Sequence, residues 1–124
     1  MIVAILQLEL SIPGAQSLKD KRCVVKSLKD RLHREHLVAV AEVGALASLS
    51  GAVLGVACVG NDSKHLSQTL DHVLEKVRKR TDCELIASER TLATVDALRE
   101  QRSPIHDDAL ASEMLARALD EDER

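Results

Sequence analysis

The chain has 124 residues, of which 45% are apolar and 30% are charged, and its formal net charge is −3. This length predicts a single domain that buries about two thirds of its unfolded surface, and a net charge this small excludes neither acidic nor basic partners. Because the chain contains no Phe, Tyr or Trp, the base-stacking aromatic sheets of many RNA-binding domains are excluded, and the core must consist of Leu, Val, Ile and Ala.

The segment 2–12, IVAILQLELSI, predicts a first strand. Leucines at every second position from Leu6 to Leu10 alternate with Gln7 and Glu9, which is the period of a strand buried on at least one face. Pro13-Gly14 then ends the strand with a turn.

A first helix is predicted from an N-cap at Ser17 to about Glu35. The sequence SLKD occurs twice within it, ten residues apart, and ten residues are close to three helical turns. The helix therefore keeps one apolar side, formed by Leu18, Val24, Val25, Leu28 and Leu32.

Two β-rich runs follow, at 37–43 and 52–59, separated by a stretch that contains Gly and Ser. The segment 61–63, Asn-Asp-Ser, caps a second helix, and a last strand runs from about Cys83 to Ala93. The apolar side of the second helix consists of Leu66, Leu70, Val73 and Val77. The order βαββαβ predicts an α+β ferredoxin-like two-layer sandwich, with a four-stranded antiparallel sheet and both helices on one face.

The composition changes after this sandwich. Residues 1–94 contain 13 Lys and Arg against 11 Asp and Glu, whereas residues 95–124 contain 4 against 9. We therefore predict a ferredoxin-like domain at 1–94 and an acidic, partly helical C-terminal extension at 95–124. The extension is either a separate short helical appendage or a cover for the open face of the sheet.

No residue pattern predicts a metal, a cofactor or catalysis. Three cysteines without a C-x-x-C spacing indicate neither a zinc ribbon nor a disulfide framework, and we predict that all three are small buried hydrophobes. The first residues lack a basic leader, and no apolar run approaches the length of a membrane span. We predict a cytoplasmic protein that does not enter a membrane.

The first helix carries a second pattern, which we call the basic stripe. Its members follow one another at spacings of three, four, three and four residues, so they line one side of the helix beside the apolar side: Lys19, Arg22, Lys26, Lys29 and His33. Cations in such a row can follow the phosphates of a nucleic acid, and they can also be ordinary solvated side chains.

The face of the sheet that the helices leave open is a second candidate surface. On the first strand it carries Val3, Ile5 and Gln7, and the third strand is apolar on both sides. Strands of this kind are expected where both faces are covered, which predicts a partner or a second copy of the chain against this face.

Three blocks of the sequence together resemble the YlxP-like family of small bacterial proteins of unknown function. They are MIVAILQLELSIPGAQSLKDKRCVVKSLKDRL at 1–32, VAEVG at 40–44 and AVLGVACVGND at 52–62, and the similarity extends over roughly residues 1–93. The resemblance implies a ferredoxin-like fold and no catalytic residues. Members often have genes beside those for translation initiation and ribosome maturation factors, which implies work near RNA or ribosomes.

These observations favour a non-enzymatic binding protein. The first hypothesis is contact with RNA or a ribosomal particle through the basic stripe. The alternative is a homodimeric scaffold or protein-interaction module that associates through the open face of the sheet.

Overall fold

The structure is a computed structural model that describes residues 1–96. It contains six elements: β1 (Ile2–Ser11), α1 (Leu18–His36), β2 (Ala39–Gly44), β3 (Gly51–Gly60), α2 (Ser63–Arg78) and β4 (Glu84–Thr94). The predicted βαββαβ order is confirmed. The predicted helical appendage lies outside the described residues, and the division of the chain at 94/95 stays a prediction.

The four strands form one antiparallel sheet in the order β2-β3-β1-β4. The central strand β1 pairs with β3 along its whole length, from Ile2 opposite Gly60 to Ser11 opposite Gly51. It pairs with β4 on its other side, where one register shift follows Glu9. Both helices pack on the same face, so the α+β ferredoxin-like sandwich is confirmed.

The core lies between the sheet and the helices. The alternation predicted for β1 is confirmed, since Ala4, Leu6, Leu8 and Leu10 are all buried. The buried apolar residues of the two helices form the other side of this core. They are Val25, Leu28, Leu32, Leu66, Leu70, Val73, Leu74 and Val77. Each fully buried aliphatic side chain contributes about 1.5–3 kcal/mol to the stability of the fold. This aliphatic layer therefore stabilises the fold without aromatic residues.

Both predicted helix starts are confirmed by their hydrogen bonds. The Ser17 hydroxyl accepts the backbone N–H of Asp20 at 3.1 Å, and the Asp20 carboxylate accepts the backbone N–H of Gln16 at the same distance. At α2, the Asp62 carboxylate accepts the backbone N–H of Lys64 at 3.0 Å. Each cap satisfies a backbone donor that has no partner within its own helix.

The prediction that a strand begins at residue 37 is wrong. Leu37 has a φ of 54°, in the left-handed region, and its N–H donates to the His33 carbonyl to close α1. A chain that turns in this way cannot begin to pair, so β2 begins at Ala39.

The prediction for the cysteines is confirmed only in part. Cys83 is buried and Cys58 is half-buried, and burial raises the pKa of both thiols. The prediction is wrong for Cys23, which is exposed. At about 100° per residue, Cys23 lies roughly 140° around α1 from Leu28, which places it on the solvent side.

No helix within residues 1–96 is long and apolar enough to cross a membrane.

Candidate nucleic-acid interface

Helix α1 lies between α2 and β2, and its two flanks have different neighbours. On one flank, Glu35 binds Lys76 of α2 at 2.7 Å. On the other flank, Lys21 and His33 reach the ends of β2 and its loops. The flank of α1 toward β2 therefore borders an edge of the sheet.

The structure places the basic stripe along the outer side of this β2 flank. Lys19, Arg22 and Lys26 are exposed, and Lys29 is half-buried. At about 100° per residue, the stripe occupies an arc of roughly 80°, and a rise of about 1.5 Å per residue separates its first and last lysines by about 15 Å along the axis. The four cations form one row.

None of these four cations forms an ion pair or hydrogen bond with any residue in 1–96. Six of the nine other described Lys and Arg side chains are paired: Lys21 with Glu42, Arg31 and Lys76 with Glu35, Lys79 with Glu75, Arg80 with Asp82 and Arg90 with Asp71. Arg34, Lys64 and Arg78 are the three that have no ion pair within residues 1–96. No described carboxylate therefore lies within ion-pair distance of the row.

His33, the fifth predicted member of the stripe, is also exposed but has a local partner. Its Nδ1 lies 2.9 Å from the Val38 carbonyl oxygen, so Nδ1 carries the proton and donates. The His33 carbonyl in turn accepts the N–H of Leu37. The residue therefore holds the turn from α1 to β2, and only the far side of its ring can extend the stripe.

Lys21 is the residue that sequence reasoning missed. It lies in the basic run of α1 but is only 1% exposed. A signal was available, because Lys21 precedes Val25, Leu28 and Leu32 at spacings of four, three and four, which is the apolar side. Glu42 likewise lies at a position of β2 on the side of the sheet that faces the helices.

The Lys21 ammonium has two partners at the end of β2. It donates to the Ala45 carbonyl at 2.6 Å and lies 3.1 Å from Glu42 Oε2. That carboxylate oxygen accepts no hydrogen bond from residues 1–96, so its contact with the ammonium is electrostatic, and the carbonyl is the hydrogen-bond acceptor.

This contact fixes the loop between β2 and β3 against α1. Ala45 has a φ of 55°, directly after a β-bulge at the end of β2. The loop closes where the Ser48 hydroxyl accepts the N–H of Gly51 at 3.1 Å. Lys21 thereby holds α1, the helix that contains the basic stripe, against this loop.

The other candidate surface, the open face of the sheet, includes the three residues predicted for it. Gln7 is exposed, Val3 is half-buried, and Ile5 is 47% exposed. A depression of about 320 Å³ lies beside Ile5, with Val43 on its other side and Gly55 among its lining residues. This half of the face is apolar.

The half of the open face toward β4 is polar and acidic. Gln7 pairs in register with Glu89, and Glu9 follows two residues later on β1. Both glutamates are exposed. Carboxylates repel a phosphate backbone, so this half of the sheet is an unfavourable surface for a nucleic acid.

Within residues 1–96, His, Cys, Asp and Glu side chains do not assemble in any group of three or more that could hold a metal ion.

Comparison with protein families identifies a relationship that covers most of the chain. Residues 3–90 match the model of DUF503, described as a protein of unknown function. A search of the curated proteins gives no match. Since the family model covers most of the chain, including every element from β1 to α2 and most of β4, the chain belongs to the DUF503 family of proteins of unknown function.

Proposed function

We propose that this protein is a non-enzymatic binding protein that contacts RNA through the basic stripe of α1. The observation that carries the proposal is the row of four neighbouring cations that have no ion pair within residues 1–96, whereas six of the nine other described Lys and Arg side chains are paired. Lys and Arg that lie in a row neutralise phosphates and release condensed counterions.

The chemistry of the stripe sets the kind of recognition. The chain contains no aromatic ring on which a base can stack. Lysines bind phosphates as point charges, without reading base edges. The protein should therefore bind single-stranded RNA with little dependence on sequence and with strong dependence on salt.

The resemblance of the N-terminal blocks to the YlxP-like family supports the same proposal by association. Genes of that family often lie beside those for translation initiation and ribosome maturation factors. We therefore propose RNA of a ribosomal particle as the cellular target and the cytoplasm as the place of action.

Charge reversal tests this proposal. Arg22→Glu/Lys26→Glu should weaken binding to a short single-stranded RNA at low salt, for every RNA sequence tried. The matched control is Arg34→Glu/Lys64→Glu, which changes the net charge equally at exposed positions outside the stripe. Equal losses in the two variants would show that net charge, and not the stripe, governs binding.

The open face of the sheet favours a second candidate function, a homodimeric scaffold. Exposed Ile5, Val43 and Val59, at 47%, 56% and 64% exposure, are large apolar side chains on or beside this face. If two copies bury them, light scattering should give a dimeric mass at low and high salt alike, and Ile5→Lys should give a monomer. A monomeric unmodified chain would remove this candidate.

A further inference from the structure

A second basic site lies on the opposite flank of α1, in a cleft of about 440 Å³ between the two helices and the turn that leads into β4. We call it the helix-turn cleft. It is lined by Ser27 and Arg31 of α1, Lys76 of α2, and residues 79–82 of the turn. Its volume is within the range of about 300–1,000 Å³ that is typical of small-ligand sites.

Four of the seven lining residues are cations: Arg31, Lys76, Lys79 and Arg80. The C-terminal end of a helix attracts cations, which accounts for the lysines near the end of α2. It does not account for Arg31, which comes from the other helix, or for Arg80, which the turn directs back toward α1. The charge of the cleft is therefore assembled from separate parts of the fold.

Arg80 is held in a fixed orientation. Its Nε and Nη2 donate to the two oxygens of Asp82 at 2.9 and 2.6 Å, and Nη2 also lies 3.4 Å from the Ser27 hydroxyl. These contacts pre-organise the guanidinium. A guanidinium held in this way can donate to an oxyanion without losing further side-chain freedom.

Three carboxylates beside the cleft pair with its four cations and leave a small positive charge. Glu35 bridges Lys76 at 2.7 Å and Arg31 at 3.2 Å, and its pKa lies below the usual value, first because of the hydrogen bond from Lys76. Asp82 is committed to Arg80, and Glu75 approaches Lys79 only at 3.8 Å with both side chains exposed. Each of the four cations is thus paired, and with three carboxylates the cluster keeps a formal charge of +1.

From these four cations, which different parts of the fold bring to one cleft, together with the oriented guanidinium of Arg80 and the hydroxyls of Ser27 and Thr81, we propose that the helix-turn cleft binds a phosphoryl group, carried by a free phosphomonoester or by a nucleic-acid backbone. A phosphomonoester carries about −1.5 to −2 charges at pH 7, opposite in sign to the cluster, and its oxygens accept from guanidinium, ammonium and hydroxyl groups. The site is separate from the basic stripe, since Ser27 and Arg31 lie roughly 80–180° around α1 from its members.

The test uses the full chain and three probes: inorganic phosphate, ADP and a short oligouridine. Arg31→Gln/Lys79→Gln removes two lining cations, and Arg34→Gln/Lys64→Gln is the control with the same change in charge outside both sites. The cleft variant should lose at least about tenfold in affinity, the factor expected for one charge-assisted hydrogen bond, while the control loses little. Binding of phosphate or ADP that the cleft variant weakens identifies a free phosphate group as the source. If only oligouridine binds and the cleft variant weakens that binding, the source is a nucleic-acid backbone.

Amide chemical shifts of the unmodified chain provide a second readout that does not depend on a variant. Addition of the probe that binds should shift the amides of Thr81 and Asp82. The proposal is overturned if no probe binds at low salt, if the two double variants lose affinity equally, or if the amides of the turn do not respond. Because the proposed RNA interface uses other residues, loss of oligouridine binding only in Arg22→Glu/Lys26→Glu would refute the cleft and leave that interface intact.

Discussion

Replacement of Lys21 by Met should destabilise the protein far more than replacement of any lysine of the basic stripe. The side chain is 1% exposed, its ammonium donates to the Ala45 carbonyl at 2.6 Å, and it lies 3.1 Å from Glu42 Oε2. Methionine fills most of the same volume, so the change removes the charge and the hydrogen bond and leaves little cavity.

The size of the destabilisation depends on the Ala45 carbonyl and the Glu42 carboxylate, which both lose their contact with the ammonium. Loss of a charge-assisted hydrogen bond costs about 1.5–3 kcal/mol, and loss of one partner of a fully buried ion pair costs about 3–5 kcal/mol. Because the Glu42 side chain keeps 18% exposure, water can solvate part of its charge. We expect Lys21→Met to lower the free energy of unfolding by about 2–4 kcal/mol.

Urea denaturation measures this difference. Lys26→Met, an exposed position on the same helix, is the matched control and should change the free energy of unfolding by less than about 0.5 kcal/mol. The double variant Lys21→Met/Glu42→Gln should be more stable than Lys21→Met alone, because no unpaired carboxylate is left at the end of β2. Equal losses for Lys21→Met and Lys26→Met would refute the buried position of Lys21.

Three further predictions concern the helical layer and the thiols. Leu28→Ala should lower the free energy of unfolding by about 2–5 kcal/mol, because Leu28 is fully buried, whereas Lys29→Ala should cost less than about 0.5 kcal/mol; urea titration compares them. A thiol reagent should label exposed Cys23 first, and Cys83, whose pKa is raised by burial, only on unfolding; equal labelling rates would contradict the packing. Since its cationic partners lower the pKa of Glu35, this carboxylate stabilises the fold above the ordinary glutamate pKa, and the contribution is lost as the pH falls through the lowered value. Acid titration of Glu35→Gln should show a shallower loss of stability, and an unchanged acid limb would contradict the ion pairs.

Most of the fold could be predicted from the local periodicity of apolar residues in the sequence. The alternation from Leu6 to Leu10 and the apolar spacing around Leu28 each specify which side of an element is buried, and short caps such as Ser17 specify where helices begin. Two such positional signals were present for Lys21 and Glu42 as well. The burial of these two residues was not predicted, because charged side chains are usually exposed. The position of a residue along a helix or strand, and not its type, decides which face it lies on.

The helix-turn cleft could not be predicted from the sequence in the same way. Ser27 and Arg80 are 53 residues apart and meet only because the two helices pack side by side on the sheet. Nothing in the local pattern of either segment indicates that the turn after α2 directs a guanidinium toward α1. The bulge at the end of β2, which shapes the loop held by Lys21, likewise depends on pairing with β3.

The salt dependence of binding to single-stranded RNA tests most directly whether the basic stripe follows phosphates. Four contacts predict a slope of about −3 in a plot of the logarithm of the binding constant against the logarithm of salt concentration, at about −0.7 per contact. Arg22→Glu/Lys26→Glu removes two contacts and should make the slope shallower by about 1.4. Absence of binding at low salt in the unmodified protein, or the same slope in the double variant, would contradict RNA binding through α1.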